Sequence, residues 1–213
     1  MDKEQIQKAL AELKKQPKKK FNQSYDLIIN LKNLVIKSNP IDFFVTLPFP
    51  KGKTPKIACF CDQQLAEEAE KNCDLVVREK DFEEYVKDPK KAKMLAKNYD
   101  YFIAQATLMA KIAATFGKSL GIRGKMPNPK LGCVVPPNAA LAPLVKKLSL
   151  TVKLSAKKAT NLQCVIGKEE QAEQEVVENA LAVYNATIKQ LPSEVQNVKN
   201  VAIKKTMGAP VRV

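Results

Sequence analysis

A chain of 213 residues, 45% of them hydrophobic and 27% charged, carries enough apolar material for one large domain or two small ones and is not the composition of a disordered polypeptide. Thirty-six basic residues against 22 acidic ones leave a net charge of +14 and a pI of about 9.5, a self-repulsion that a polyanion such as nucleic acid relieves. With no histidine in the chain, Ser-His-Asp and Cys-His catalysis are excluded, as is the usual imidazole metal site.

In chain order, Ile6, Ala9, Leu10 and Leu13 fall on one face of a helix over 4–15. The basic run KKQPKKK (14–20) ends it, because Pro17 cannot continue the hydrogen-bond ladder. SYDLIINL (24–31) and IDFFVTL (41–47) are rich in β-branched and aromatic residues and read as strands, followed by the turn-rich PFPKGKTPK (48–56).

The pattern then changes. IACF (57–60) is a short apolar strand, and Asp62 caps the helix QQLAEEAEK. DLVV (74–77) is a strand, 79–87 a helical stretch, and a Lys-rich helix runs from Pro89 to Lys97. YDYFIA (99–104) is a third strand, TLMAKIAATF (107–116) a further helix, and NAALAPLVKKL (138–148) a closing one. Strands alternating with helices indicate βαβ units around a parallel sheet.

From 151 the earlier character returns. TVKLSA and LQCVIG read as strands paired with each other across KKATN (157–161). A long helix over about 169–190 buries Val176, Val177, Ala180, Leu181, Tyr184 and Ile188, and VKNVAIKK (198–205) is the last strand. The expected architecture is an α+β domain made from both ends of the chain (1–56 and 151–213) with an α/β, Rossmann-like domain (57–150) inserted in it. The end segments hold most of the excess positive charge, which makes the terminal domain the expected grip on nucleic acid.

No apolar run reaches the roughly 20 residues of a membrane span, and MDKEQIQKAL lacks the apolar core of a secretory signal. A cytoplasmic protein without membrane partners is expected, which makes the sequons at Asn22 and Asn185 irrelevant. Five cysteines in such a chain read as buried thiols rather than as disulfides, and Cys59-x-Cys61 lacks the spacing of a zinc knuckle. No metal or cofactor is expected.

Two phosphate-loop matches fail. GKT (52–54) and GKS (117–119) would need a glycine where Leu47 and Ile112 stand. Gly117, Gly121 and Gly124 have neither the dinucleotide spacing nor a preceding strand. A nucleotide-dependent enzyme using the βαβ unit is therefore the lesser alternative, and the acids, mostly at helical spacing, offer no acid/base pair.

Three segments suit RNA. In KKFNQSYDL (19–27), Lys19 and Lys20 can bind phosphates, Phe21 can pack on a ribose or base, and Gln23 and Ser24 can donate to sugar hydroxyls or base edges. In KKTMGAPVRV (204–213), Lys204 precedes Thr206, suited to donate to a 2′-hydroxyl, and Met207, suited to pack on the sugar. Gly208 has no side chain to keep a partner's backbone away. IRGKMPNPK (122–130) is a basic, proline-stiffened loop whose Arg123, Lys125 and Lys130 form a secondary contact.

KFNQS (20–24), RGKMPNPK (123–130) and TMGAPVRV (206–213) closely resemble the ribosomal protein L-one family of the mobile large-subunit stalk beside the tRNA exit site. DFFVTLP (42–48) and FIAQATLM (102–109) look like its archaeal branch. The resemblance implies a Rossmann-like domain hinged on an α+β domain. It also implies a structural constituent of the large ribosomal subunit that binds the stalk of large-subunit (23S-type) rRNA, helps release deacylated exit-site tRNA, and represses its own mRNA. By position it implies rRNA contacts at Lys20, Phe21, Gln23, Ser24, Thr206, Met207 and Gly208. One stretch departs: where bacterial relatives have aspartate, glycine and histidine, this chain has Lys157, Thr160 and Gln163.

Overall fold

The computed structural model describes residues 1–17, 19–35, 40–157 and 159–213, so Lys18 of the basic run and Lys158 of the polar stretch lie outside the described residues. Along the chain it places α1 (Lys3–Lys15), β1 (Ser24–Leu31), β2 (Ile41–Thr46), β3 (Ile57–Cys61), α2 (Gln63–Asn72) and β4 (Leu75–Arg78). Next come α3 (Phe82–Lys87), α4 (Pro89–Asn98), β5 (Tyr101–Gln105), α5 (Met109–Gly121), β6 (Val134–Val135) and α6 (Ala142–Leu150). The chain closes with β7 (Thr151–Ala156), β8 (Asn161–Lys168), α7 (Glu173–Gln190), β9 (Val198–Lys205) and β10 (Val211–Arg212). It divides into two compact units, Met1–Lys53 with Leu150–Val213, and Thr54–Ser149. No described helix is long and apolar enough to cross a membrane.

The first unit is α+β. Its antiparallel sheet has the order β10-β9-β1-β8, with β1 in the middle because both of its edges find long partners. Every second residue of β1, Tyr25 to Leu31, is buried, as alternation in SYDLIINL requires. That face meets Ile6, Leu10 and Leu13 of α1 and Val176, Val177, Ala180 and Val183 of α7 in one core. The chain's two ends are thus parts of a single hydrophobic cluster, and neither can bury its stripe without the other.

The expected pairing of TVKLSA with LQCVIG is not what forms. β7 pairs antiparallel with β2, and β8 pairs with β1. Pairing with β2 sets Val152 opposite Val45 and Ala156 opposite Ile41, all four in the core, so burial overrides nearness in sequence. The helix expected from 138 begins at Ala142, with Pro143 in its first turn, where a missing N–H costs nothing. Two side chains on the buried face of α7 are polar: Asn179 bonds Phe49 and Ile166 backbone oxygens, and Thr187 bonds Val183 O.

The second unit is α/β, with four parallel strands in the order β4-β3-β5-β6. β3 is buried at every residue, the continuous apolar run of a strand covered on both faces. Phe60 packs on Phe102 with ring centroids 5.7 Å apart and on Phe116 at 4.8 Å. Of the cysteines, Cys59, Cys61 and Cys133 are buried, and burial pushes the Cys133 thiol up to about 11.

Candidate nucleic-acid interface

Antiparallel pairing sets Tyr25, the second residue of β1, opposite Lys205, the last of β9. Residues just before β1 and just after β9 therefore meet at one end of the sheet. Thr206 is the bolt. Its amide donates to Ser24 O at 3.1 Å, its hydroxyl donates to the same oxygen at 3.3 Å, and Ser24 N–H donates to Thr206 Oγ1 at 3.1 Å. Met207 N–H donates to Gln23 Oε1 at 3.2 Å, and Glu169 N–H donates to Gln23 O at 2.9 Å. Gly208 N–H closes the turn onto Lys205 O at 3.0 Å.

This frame sorts the expected contact residues. Lys19, Lys20, Phe21, Thr206 and Met207 are exposed, while Ser24, Lys204 and Gly208 are half-buried. Phe21 at 48% and Met207 at 66% are large apolar side chains exposed to solvent. Gln23 is only 2% exposed and its carbonyl is committed to Met207, so its place is behind the surface. The Thr206 hydroxyl accepts from Ser24 N–H and lies within donating distance of Ser24 O, on an exposed residue.

Beneath the turn lies a polar layer that residue patterns gave no reason to expect. Lys205 is 1% exposed, and its Nζ sits 2.7 Å from Glu169 Oε1. Lys14 of α1 pairs with Glu173 of α7. The Tyr25 hydroxyl is buried without a partner, and burial, then Glu169 and Glu173, raise its pKa. A carbon built at Gly208 would lie 2.4 Å from Gln16 Oε1 and 3.1 Å from Lys205 Cβ. Beside it, a groove of about 670 Å³ is lined by Lys14, Lys19, Lys20, Phe21, Asn22, Glu169 and Glu170. On the sheet next to Lys204, burial raises the Asp26 carboxyl, an effect that Lys204 opposes.

In the second unit the basic loop is a built turn. Gly124, at φ 63°, donates to Gly121 O at 3.0 Å, and Lys125 N–H donates to Leu120 O at 3.0 Å, the paired bonds that stop a helix at a left-handed residue. Asn128 Oδ1 accepts from Lys130 N–H at 2.9 Å. Arg123 and Lys130 are exposed. Lys125 is half-buried, with Nζ on Tyr99 O at 2.6 Å, so its ammonium is held against the fold.

Known proteins give this arrangement a family. The pattern of the Ribosomal protein L1p/L10e family matches residues 13–209. The large ribosomal subunit protein uL1 of Methanothermococcus thermolithotrophicus is 39% identical over 216 residues, covering 100% of this chain and 99% of its own length. That of Nanoarchaeum equitans is 39% identical over 200 residues, covering 92% and 93%. That of Thermococcus kodakarensis is 39% identical over 216 residues, covering 100% and 98%. These names are those of a ribosomal constituent and not of an enzyme. With an antiparallel α+β unit and a parallel α/β unit in one chain, and a match over nearly all of it, the chain belongs to the Ribosomal protein L1p/L10e family.

Proposed function

We propose that this chain is a structural constituent of the large ribosomal subunit and that the end of its first unit's sheet is its rRNA grip. The observation that supports this most is the meeting of KKFNQS and KTMG on one hydrogen-bonded frame that exposes two lysines and two large apolar side chains. Lys19, Lys20 and Lys204 neutralise phosphates. Phe21 and Met207 pack on riboses or unstacked bases, and Thr206 Oγ1 accepts from a 2′-hydroxyl, the group that separates RNA from DNA. Gln23 and Ser24 act by holding the Thr206–Gly208 turn. Recognition of this kind reads sugars, phosphates and shape, as A-form RNA demands.

Arg123 and Lys130 form a weaker second contact on the other unit. The family resemblance extends the reading to release of deacylated tRNA from the exit site and to repression of the chain's own mRNA through a mimic of the rRNA site. Filter binding with the stalk fragment of large-subunit rRNA at two salt concentrations tests the central claim. Saturable binding that weakens with salt is expected; saturable ATP or NAD binding without rRNA affinity overturns it in favour of a nucleotide-dependent enzyme.

A further inference from the structure

Gln16 leaves α1 from a fixed point. Pro17 bars it from the helical region, and it takes φ −67° and ψ 151°, with its N–H returned to Leu13 O. The helix behind it is anchored in the core by Ile6, Leu10 and Leu13. From there the side chain crosses to the turn: Nε2 donates to Ala209 O at 3.1 Å, and Oε1 is buried with no donor.

Gly208 sits against that oxygen. The glycines with positive φ are Gly52, Gly124 and Gly132; Gly208 has a backbone conformation open to alanine. Its missing side chain therefore serves space, and the space is on the inner side. A Cβ there would meet Gln16 Oε1 at 2.4 Å and Lys205 Cβ at 3.1 Å. The sequence suggested that the glycine admits a partner's backbone, but these contacts point the other way. The Gln16 amide can swing aside only by giving up the bond from its nitrogen to Ala209 O, and the methyl would still meet Lys205 Cβ.

We propose that Gln16 is a positioning residue of the RNA grip: the end of α1 sets the height of the Thr206–Gly208 turn, and residue 208 is glycine so that the Gln16 amide can lie against it. This rests on the rRNA-binding reading above. Gln16 touches no RNA in this scheme, so it tunes affinity without changing the number of phosphates neutralised.

Four proteins test it: the wild type, Gln16→Ala, Gly208→Ala and the double variant, each titrated with the rRNA stalk fragment at two salt concentrations and each melted. Gly208→Ala should lose about tenfold in affinity or more, as overpacking displaces the turn. Gln16→Ala should lose roughly threefold, the worth of one hydrogen bond, with an unchanged salt slope. The double variant should recover most of the loss that Gly208→Ala causes, because the added methyl then meets only Lys205 Cβ at 3.1 Å. A double variant as weak as Gly208→Ala would show that the glycine faces RNA and overturn the proposal, as would unimpaired binding by Gly208→Ala. If the wild type itself ignores the fragment, the rRNA reading fails. The melts still decide the contact: Gln16→Ala must then cancel most of the stability loss caused by Gly208→Ala, and additive losses refute it.

Discussion

The ammonium of Lys205 lies 2.7 Å from Glu169 Oε1, and the pair is unequally hidden, with 1% of the lysine side chain exposed against 21% of the glutamate. The consequence is an asymmetry in what each partner's loss costs. Glu169→Gln leaves a cation in the core without a countercharge, and about 3 kcal/mol of stability should go. Lys205→Met replaces the cation by an apolar chain of similar length and leaves an acid that reaches water, so about 1 kcal/mol is expected. Urea unfolding of the two variants reads the difference, and equal losses would show that the buried charge is not what matters.

Met207 and Thr206 are neighbours with different attachments. Met207 is 66% exposed, so Met207→Ala should leave the melting temperature unchanged while weakening rRNA-fragment binding about tenfold, the worth of half a buried methionine. Thr206→Ala removes hydroxyl bonds to Ser24 and should cost about 1 kcal/mol of stability as well as affinity. A lower melting temperature with normal binding for Met207→Ala would make that side chain structural.

Asp26 gives the fold a pH dependence of unusual sign. Burial raises its carboxyl above the ordinary 3.8, more than Lys204 lowers it. The folded chain therefore keeps this proton to higher pH than the unfolded chain does. The stability it contributes is full below 3.8 and is lost as pH rises through the folded value. Asp26→Asn, which cannot ionise, should melt above the wild type at neutral pH, and the gap should close at about pH 3. A gap that persists in acid would mean that packing, not ionisation, separates the two.

What the sequence made readable was what repeats. SYDLIINL alternates along eight residues, and the stripe of the long helix returns every turn, so β1 and α7 follow from period alone. Val134–Val135 and Val211–Arg212 are two-residue strands with no period to read. Strand partners are set by burial across the whole unit, which is why β7 goes to β2 and not to β8. At the candidate site, Lys19, Lys20, Phe21 and Met207 stand exposed outside the periodic elements, and both chain ends share one core, as the pattern of apolar residues suggested. The burial of Gln23 and Lys205 was not legible. A polar residue is buried only if a partner meets it, and Glu169 and Met207 meet Lys205 and Gln23 from 36 and 184 positions away.

The basic loop of the second unit separates a charge that is free to act from one that is already used. Arg123 is exposed on the turn that ends α5, whereas Lys125 holds Tyr99 O at 2.6 Å. If this loop touches RNA, Arg123→Ala should lower affinity modestly and reduce the salt slope by about one counterion. Lys125→Met should act on the fold: it removes a charged donor from a backbone carbonyl, at a cost of about 1.5 kcal/mol, with the slope nearly unchanged. The two variants, melted and titrated with the same fragment, distinguish a contact from a brace. A slope that falls for Lys125→Met but not for Arg123→Ala would reverse the assignment, because counterion release counts the charges that meet phosphate and ignores those that only hold the loop.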